Sequence, residues 1–68
     1  MVDLRLGTVT DFDDHRGLGT ITSNDGTQYP FHCTQIADGS RTIDGGQPVR
    51  FALLPKLGRY EATAIEKV

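Results

Sequence analysis

The stretch "DFDDHRGLGTIT", Asp11 to Thr22, decides how this chain folds. Acidic turn residues and Gly17 separate two runs of β-forming residues, so it reads as a strand ending at Phe12 and a second beginning at Leu18. Toward the N-terminus, "RLGTVTDF" (Arg5 to Phe12) sets Leu6, Thr8 and Thr10 against Gly7 and Val9. Toward the C-terminus, "LGTITS" (Leu18 to Ser23) puts Gly19 and Ile21 on one face. "NDGT" (Asn24 to Thr27) then turns tightly, with Gly26 where a positive φ is needed.

The chain returns as "QYPFHC" (Gln28 to Cys33), with Tyr29 and Phe31 on one face and Pro30 and His32 on the other. Pro30 has no N–H to donate, so its nitrogen faces solvent, a bulge or an unpaired edge. A looser segment, "TQIADGSRTIDGGQ" (Thr34 to Gln47), holds at most one helical turn around Gln35 to Ala37. "PVRFALL" (Pro48 to Leu54) and "YEATAIEKV" (Tyr60 to Val68) are the last strands, joined by the basic link "PKLGR" (Pro55 to Arg59). In the first, Val49 and Phe51 share a face; in the second, Glu61, Thr63 and Ile65 do.

Eight glycines and three prolines break any helical repeat, so strands carry the fold. A chain of 68 residues is expected to be one domain, residues 1–68, with room for a single small core. Five short strands cannot build a two-sheet sandwich on that scale, whereas one sheet curled into a barrel hides most of its edges. The expected architecture is all-β, a five-stranded antiparallel barrel. Its expected interior is Val9, Phe12, Ile21, Tyr29, Phe31, Ile36, Val49, Phe51 and Ile65.

A net charge of −2 has the wrong sign for unaided attraction to a phosphate backbone, so any nucleic-acid site depends on local placement of cations. The lone Cys33 allows no internal disulfide, and no run resembles a signal peptide or a membrane span; a cytoplasmic location without membrane contact is expected.

Motif by motif, the sequence resembles the cold-shock domain family, five-stranded OB-fold barrels that bind single-stranded RNA and DNA. "GTVTDF" looks like the family's G-x-V-x-W-F and "RGLGTIT" like its first ribonucleoprotein motif, K-G-[FY]-G-F-I. "DGTQYPFHCTQI" is similar to D-G-x-D-V-F-V-H-F-S-A-I, "DGGQPVRF" to E-G-Q-x-V-x-F, and "EATAIEKV" to Q-A-x-N-V. Order and spacing agree apart from a residue missing near Gly39 to Ser40 and small changes around Gly58.

The departures fall on the ligand side. The resemblance puts the family's exposed tryptophan at Asp11, the aromatics of its first motif at Leu18 and Thr20, and those of its second at Pro30 and Cys33. His32 is kept, and a loop phenylalanine falls on Ser40. Stacking on a ring is worth roughly 1–3 kcal/mol per base, so binding is expected to be weak or to use an altered surface. Candidate nucleic-acid-binding residues are Arg16, Leu18, Thr20, Pro30, His32, Arg41, Lys56, Arg59 and Tyr60, with Arg5 completing a basic rim.

Each has a plainer reading: His32 as a solvent-facing histidine, Arg16 as a partner of Asp13 or Asp14, Lys56 and Arg59 as solvated charges, Tyr60 as an edge-packing ring. The alternative function is a protein-interaction module that has given up nucleic acid, its partner bound through a Leu18/Pro30 face that also includes Asp11 and Cys33. Asp11, Asp13, Asp14 and His15 lack the glycine and terminal glutamate of a Ca²⁺ loop, and His32 and Cys33 are expected on opposite strand faces; no metal site is assigned. No cofactor is implied, and without a base to place beside Cys33 no catalytic residue is assigned and the chain is read as a non-enzyme.

Overall fold

The computed structural model describes residues 4–68; Met1 to Asp3 of the expected domain lie outside the described residues. Five strands, β1 (Leu4–Asp13), β2 (Leu18–Ser23), β3 (Gln28–His32), β4 (Pro48–Lys56) and β5 (Arg59–Lys67), form one antiparallel sheet in the order β3-β2-β1-β4-β5. A parallel bridge between Ile36 and Ile65 brings the two ends of the sheet together, with the Ala37 N–H donating to Ile65 O at 2.7 Å. The Thr63 hydroxyl donates to the Gln35 side chain across the same seam. The sheet thus closes into the expected barrel.

Gly19 determines how β1, β2 and β3 pack. It sits between Phe12 and Phe31 in one inward row, and a Cβ there would lie 2.6 Å from Phe31 Cε1 and Cζ and from Asp11 O. The missing side chain lets the two phenylalanines stack over it, centroids 5.9 Å apart and planes within 15°. Around this row the core gathers Val9, Ile21, Ile36, Val49, Phe51 and Ile65, as expected, while Phe12 and Tyr29 are half-buried against it. Tyr29 packs on Phe51 in a tilted pair at 5.8 Å.

Two residues of this core cluster were not anticipated. Ile43, 6% exposed, reaches inward from the long connection, which is tied to β1 by Gly46 N–H to Val9 O and Val9 N–H to Gln47 O. Ala62 is fully buried, and the expected Glu61/Thr63/Ile65 face does not exist. The register of β4 with β5 shifts between Arg50 and Ala52, and Ala64 takes φ 51°, the mark of a bulge that reverses the alternation so that Ala62 and Ile65 both point in. A second bulge, between Val9 and Asp11, does the same for Val9 and Phe12.

Three boundaries also differ. The helical turn is a 3₁₀ turn at Cys33–Gln35 rather than around Gln35 to Ala37, so β3 ends at His32. The link Pro55 to Arg59 is mostly strand, with a two-residue loop at Leu57 and Gly58. Proline tolerates this because Pro55 pairs with Tyr60 next to the closing Lys56–Arg59 pair, where strand alternation points its nitrogen away from β5. The same alternation, fixed by Cys33 N–H to Gly17 O, turns the Pro30 nitrogen away from β2.

Gly19→Ala is expected to cost about 1–3 kcal/mol by overpacking against Phe31, a large share of the roughly 3–10 kcal/mol available to a domain of this size. Urea unfolding should show a lowered midpoint; an unchanged midpoint would mean that the Phe12/Phe31 stack does not need the gap.

Candidate nucleic-acid interface

Across β1, β2 and β3, alternate residues point outward in cross-strand rows. Asp11, Thr20 and Pro30 form one row and Asp13, Leu18 and His32 the next. All are exposed except Thr20, which is half-buried. The rows make a continuous platform in which Leu18, 46% exposed, and Pro30 are diagonal neighbours on β2 and β3, with Asp11 and Asp13 along its β1 side.

The turn joining β1 to β2 is built by Asp13, whose Oδ1 accepts the backbone N–H groups of His15 at 3.0 Å and Arg16 at 3.3 Å. Its other oxygen lies 3.9 Å from Arg16 Nε, with both side chains largely in solvent. The plainer reading of Arg16 therefore has a geometric basis, although such an exposed pair contributes little energy. Among the described residues no group of three or more His, Cys, Asp or Glu side chains is placed to hold a metal ion.

His32 is held rather than free. It caps the 3₁₀ turn: Nδ1 accepts the Thr34 N–H at 3.2 Å and lies 2.9 Å from Thr34 Oγ1. A backbone N–H can only donate, so the neutral ring carries its proton on Nε2. Cys33 Sγ lies 3.9 Å from the same Nδ1, which corrects the expectation that the two side chains occupy opposite faces: the strand ends at His32, so strand alternation does not govern Cys33. Cys33 packs half-buried against the core, and a Cβ on Gly17, at φ 66°, would come within 2.8 Å of its sulfur. It thus adds little to the Leu18/Pro30 patch.

Beyond this turn an open groove of about 360 Å³ is lined by Cys33, Thr34, Ile36, Gly39, Ser40 and Arg41. Arg41 is exposed at its edge. Arg5 does not belong to a rim on this face. It is half-buried opposite Phe51, and its charge acts on Asp25 in the β2–β3 turn, whose carboxylate is held below its ordinary range mainly by the Thr27 N–H. Lys56, Arg59 and Tyr60 are exposed on the β4–β5 hairpin.

The "Cold-shock" DNA-binding domain description matches residues 5–68. This chain belongs to the cold-shock domain family. Over 49 residues, 71% of this cold-shock domain and 74% of the relative, it is 41% identical to cold shock protein 2 of Lactiplantibacillus plantarum. A solved structure of Drosophila Unr, described as CSD456, is similar over 98% of this domain, with a TM-score of 0.84 and 25% identity; the domain spans 27% of that chain's length. No helix among the described residues is long and apolar enough to cross a membrane.

Of the positions where the family resemblance implies stacking rings, Asp11, Leu18, Thr20 and Pro30 fall on the outward rows of this cold-shock domain, while Cys33 and Ser40 line the groove. Sequence reasoning missed Thr34, which fixes the His32 ring, and the turn-building role of Asp13.

Neutral His32 is expected as the Nε2–H tautomer, which a long-range ¹H–¹⁵N correlation spectrum reads directly. A majority of Nδ1–H would contradict the capping geometry, and Thr34→Ala should loosen the preference.

Proposed function

We propose that this cold-shock domain binds single-stranded RNA or DNA weakly, with little sequence preference, through an altered ligand surface. The observation that carries the reading is the pair of outward rows, Asp11–Thr20–Pro30 and Asp13–Leu18–His32, an exposed platform whose aromatic ring is the imidazole of His32. Bases then rest on Leu18, Thr20 and Pro30 by apolar contact, and the Nε2–H of His32 is free to donate to a base or a phosphate. Asp11 opposes phosphate on the β1 side of the platform, by about 1 kcal/mol at 4 Å in water. Arg16, Arg41, Lys56 and Arg59 supply the compensating positive charge.

Cations and apolar contacts carry little base identity, which is why low sequence preference accompanies low affinity. No step in this account requires a catalyst or a cofactor, and the chain acts as a binding module rather than an enzyme. A second reading is favoured by the exposed Leu18/Pro30 diagonal beside the carboxylates of Asp11 and Asp13: a surface for a protein partner in place of nucleic acid.

Fluorescence anisotropy with oligo-dT and oligo-U across a salt series tests the proposal. Affinity should fall with salt, and Arg41→Ala and Arg59→Ala should each weaken binding and flatten the log–log slope by about 0.7. Asp11→Trp, restoring a ring to the platform, should tighten binding roughly 5- to 150-fold. An absence of binding by the wild type at low salt would overturn the proposal in favour of the second reading.

A further inference from the structure

The β4–β5 hairpin breaks several local rules in one place. Its loop, Leu57 and Gly58, has φ 42° and 86°, the type I′ geometry that asparagine, aspartate or glycine adopts at least cost. A leucine there carries backbone strain, and this one is 107% exposed, so no burial offsets it. Directly behind it Lys56 faces Arg59 across the strands, a like-charge pair that disfavours the hairpin. Among the described residues neither cation has a carboxylate partner. Every residue from Leu54 to Tyr60 is exposed, so the last rungs project from the barrel while remaining paired to the end.

Strand alternation separates the chemistry of this finger into two faces. Lys56 and Arg59, directly opposed, share one face; the next pair, Pro55 and Tyr60, the latter 54% exposed, shares the other. Leu57 stands at the apex. A ligand that answers all three has phosphates on one side, a base face on the other and an apolar surface at the end. A fork where two paired strands separate has these features: one strand's phosphates meet the cations, the other strand's first unpaired base meets Tyr60, and the last base pair meets Leu57. Apolar side chains wedged against base steps are an established way for proteins to unstack duplexes. An anionic lipid surface fits less well, because one leucine and two cations are a meagre anchor and the chain's net charge is −2.

We propose that the β4–β5 hairpin is a wedge for single-strand/double-strand junctions, with Leu57 seated on the terminal base pair and Lys56 and Arg59 on the adjoining phosphates. It rests on the nucleic-acid reading above and adds a second contact, at the tip, to the platform on β1 to β3.

The test compares a forked duplex, a blunt duplex and an unpaired oligo-U of matched length, with wild type and Leu57→Gly. Glycine tolerates φ 42°, so the variant keeps the fold, and a thermal melt checks this. Wild type should prefer the fork to both other ligands, and Leu57→Gly should lose that preference by about tenfold while oligo-U affinity changes less than about twofold. Equal affinity of wild type for fork and oligo-U, or an undiminished preference in the variant, would overturn the wedge and leave single-strand binding standing. Failure of wild type to bind oligo-U or fork would overturn both. Leucine-dependent binding to phosphatidylserine vesicles without fork preference would assign the tip to membranes and overturn the wedge.

Discussion

Phe12 and Phe31 meet over a side chain that is not there. Gly19, between them on β2, is the single residue type that lets rings from β1 and β3 close to a 5.9 Å stack inside so small a barrel. With a side-chain period of two, fixing this row on the inside fixes its neighbours on the outside. Asp11–Thr20–Pro30 and Asp13–Leu18–His32 follow from that register without any contribution of their own. Exchanging the two faces would bury Asp11, Asp13, Thr20 and His32 and expose two phenylalanines.

The same geometry explains how a family fold accommodates so different a ligand face. Inward and outward residues alternate along each strand, so the core and the platform are chosen nearly independently. The inward set retains large apolar side chains, with Tyr29 and Phe31 repacked against Phe51 and Phe12. The outward set gives up rings for Asp11, Leu18, Thr20 and Pro30 without disturbing a core contact. Where outward residues do affect the fold, they act through the backbone: Asp13 gathers the β1–β2 turn and His32 caps the turn after β3. His32 therefore caps the turn through Nδ1 and leaves Nε2 facing the proposed ligand surface.

Much of this was legible in the sequence because strong local signals agreed with the tertiary outcome. Strands flanking Gly17 and Gly26, the barrel topology and most of the interior follow from alternation and turn chemistry. Ala62 escaped because a bulge at Ala64 breaks the alternation, and nothing about alanine announces a positive φ. Ile43 escaped because it lies in a connection without periodicity. Pro55 suggested a break where register makes it harmless. For the candidate site, the loss of rings was visible residue by residue once the motifs were aligned. The pairing of Lys56 with Arg59, and the placement of Leu57 at an apex, needed the length of the β4–β5 loop, which proline and glycine had blurred.

The central claim is that the platform on β1 to β3 still meets nucleic acid despite its missing rings. The most direct measurement is an NMR titration of isotope-labelled protein with oligo-U and oligo-dT, first at low salt and then at physiological salt. Shifts clustered at Leu18, Thr20 and His32 that weaken as salt rises are the predicted result. A spectrum left unchanged by both oligonucleotides at low salt would contradict the claim and mean that the barrel has outlived its family's ligand.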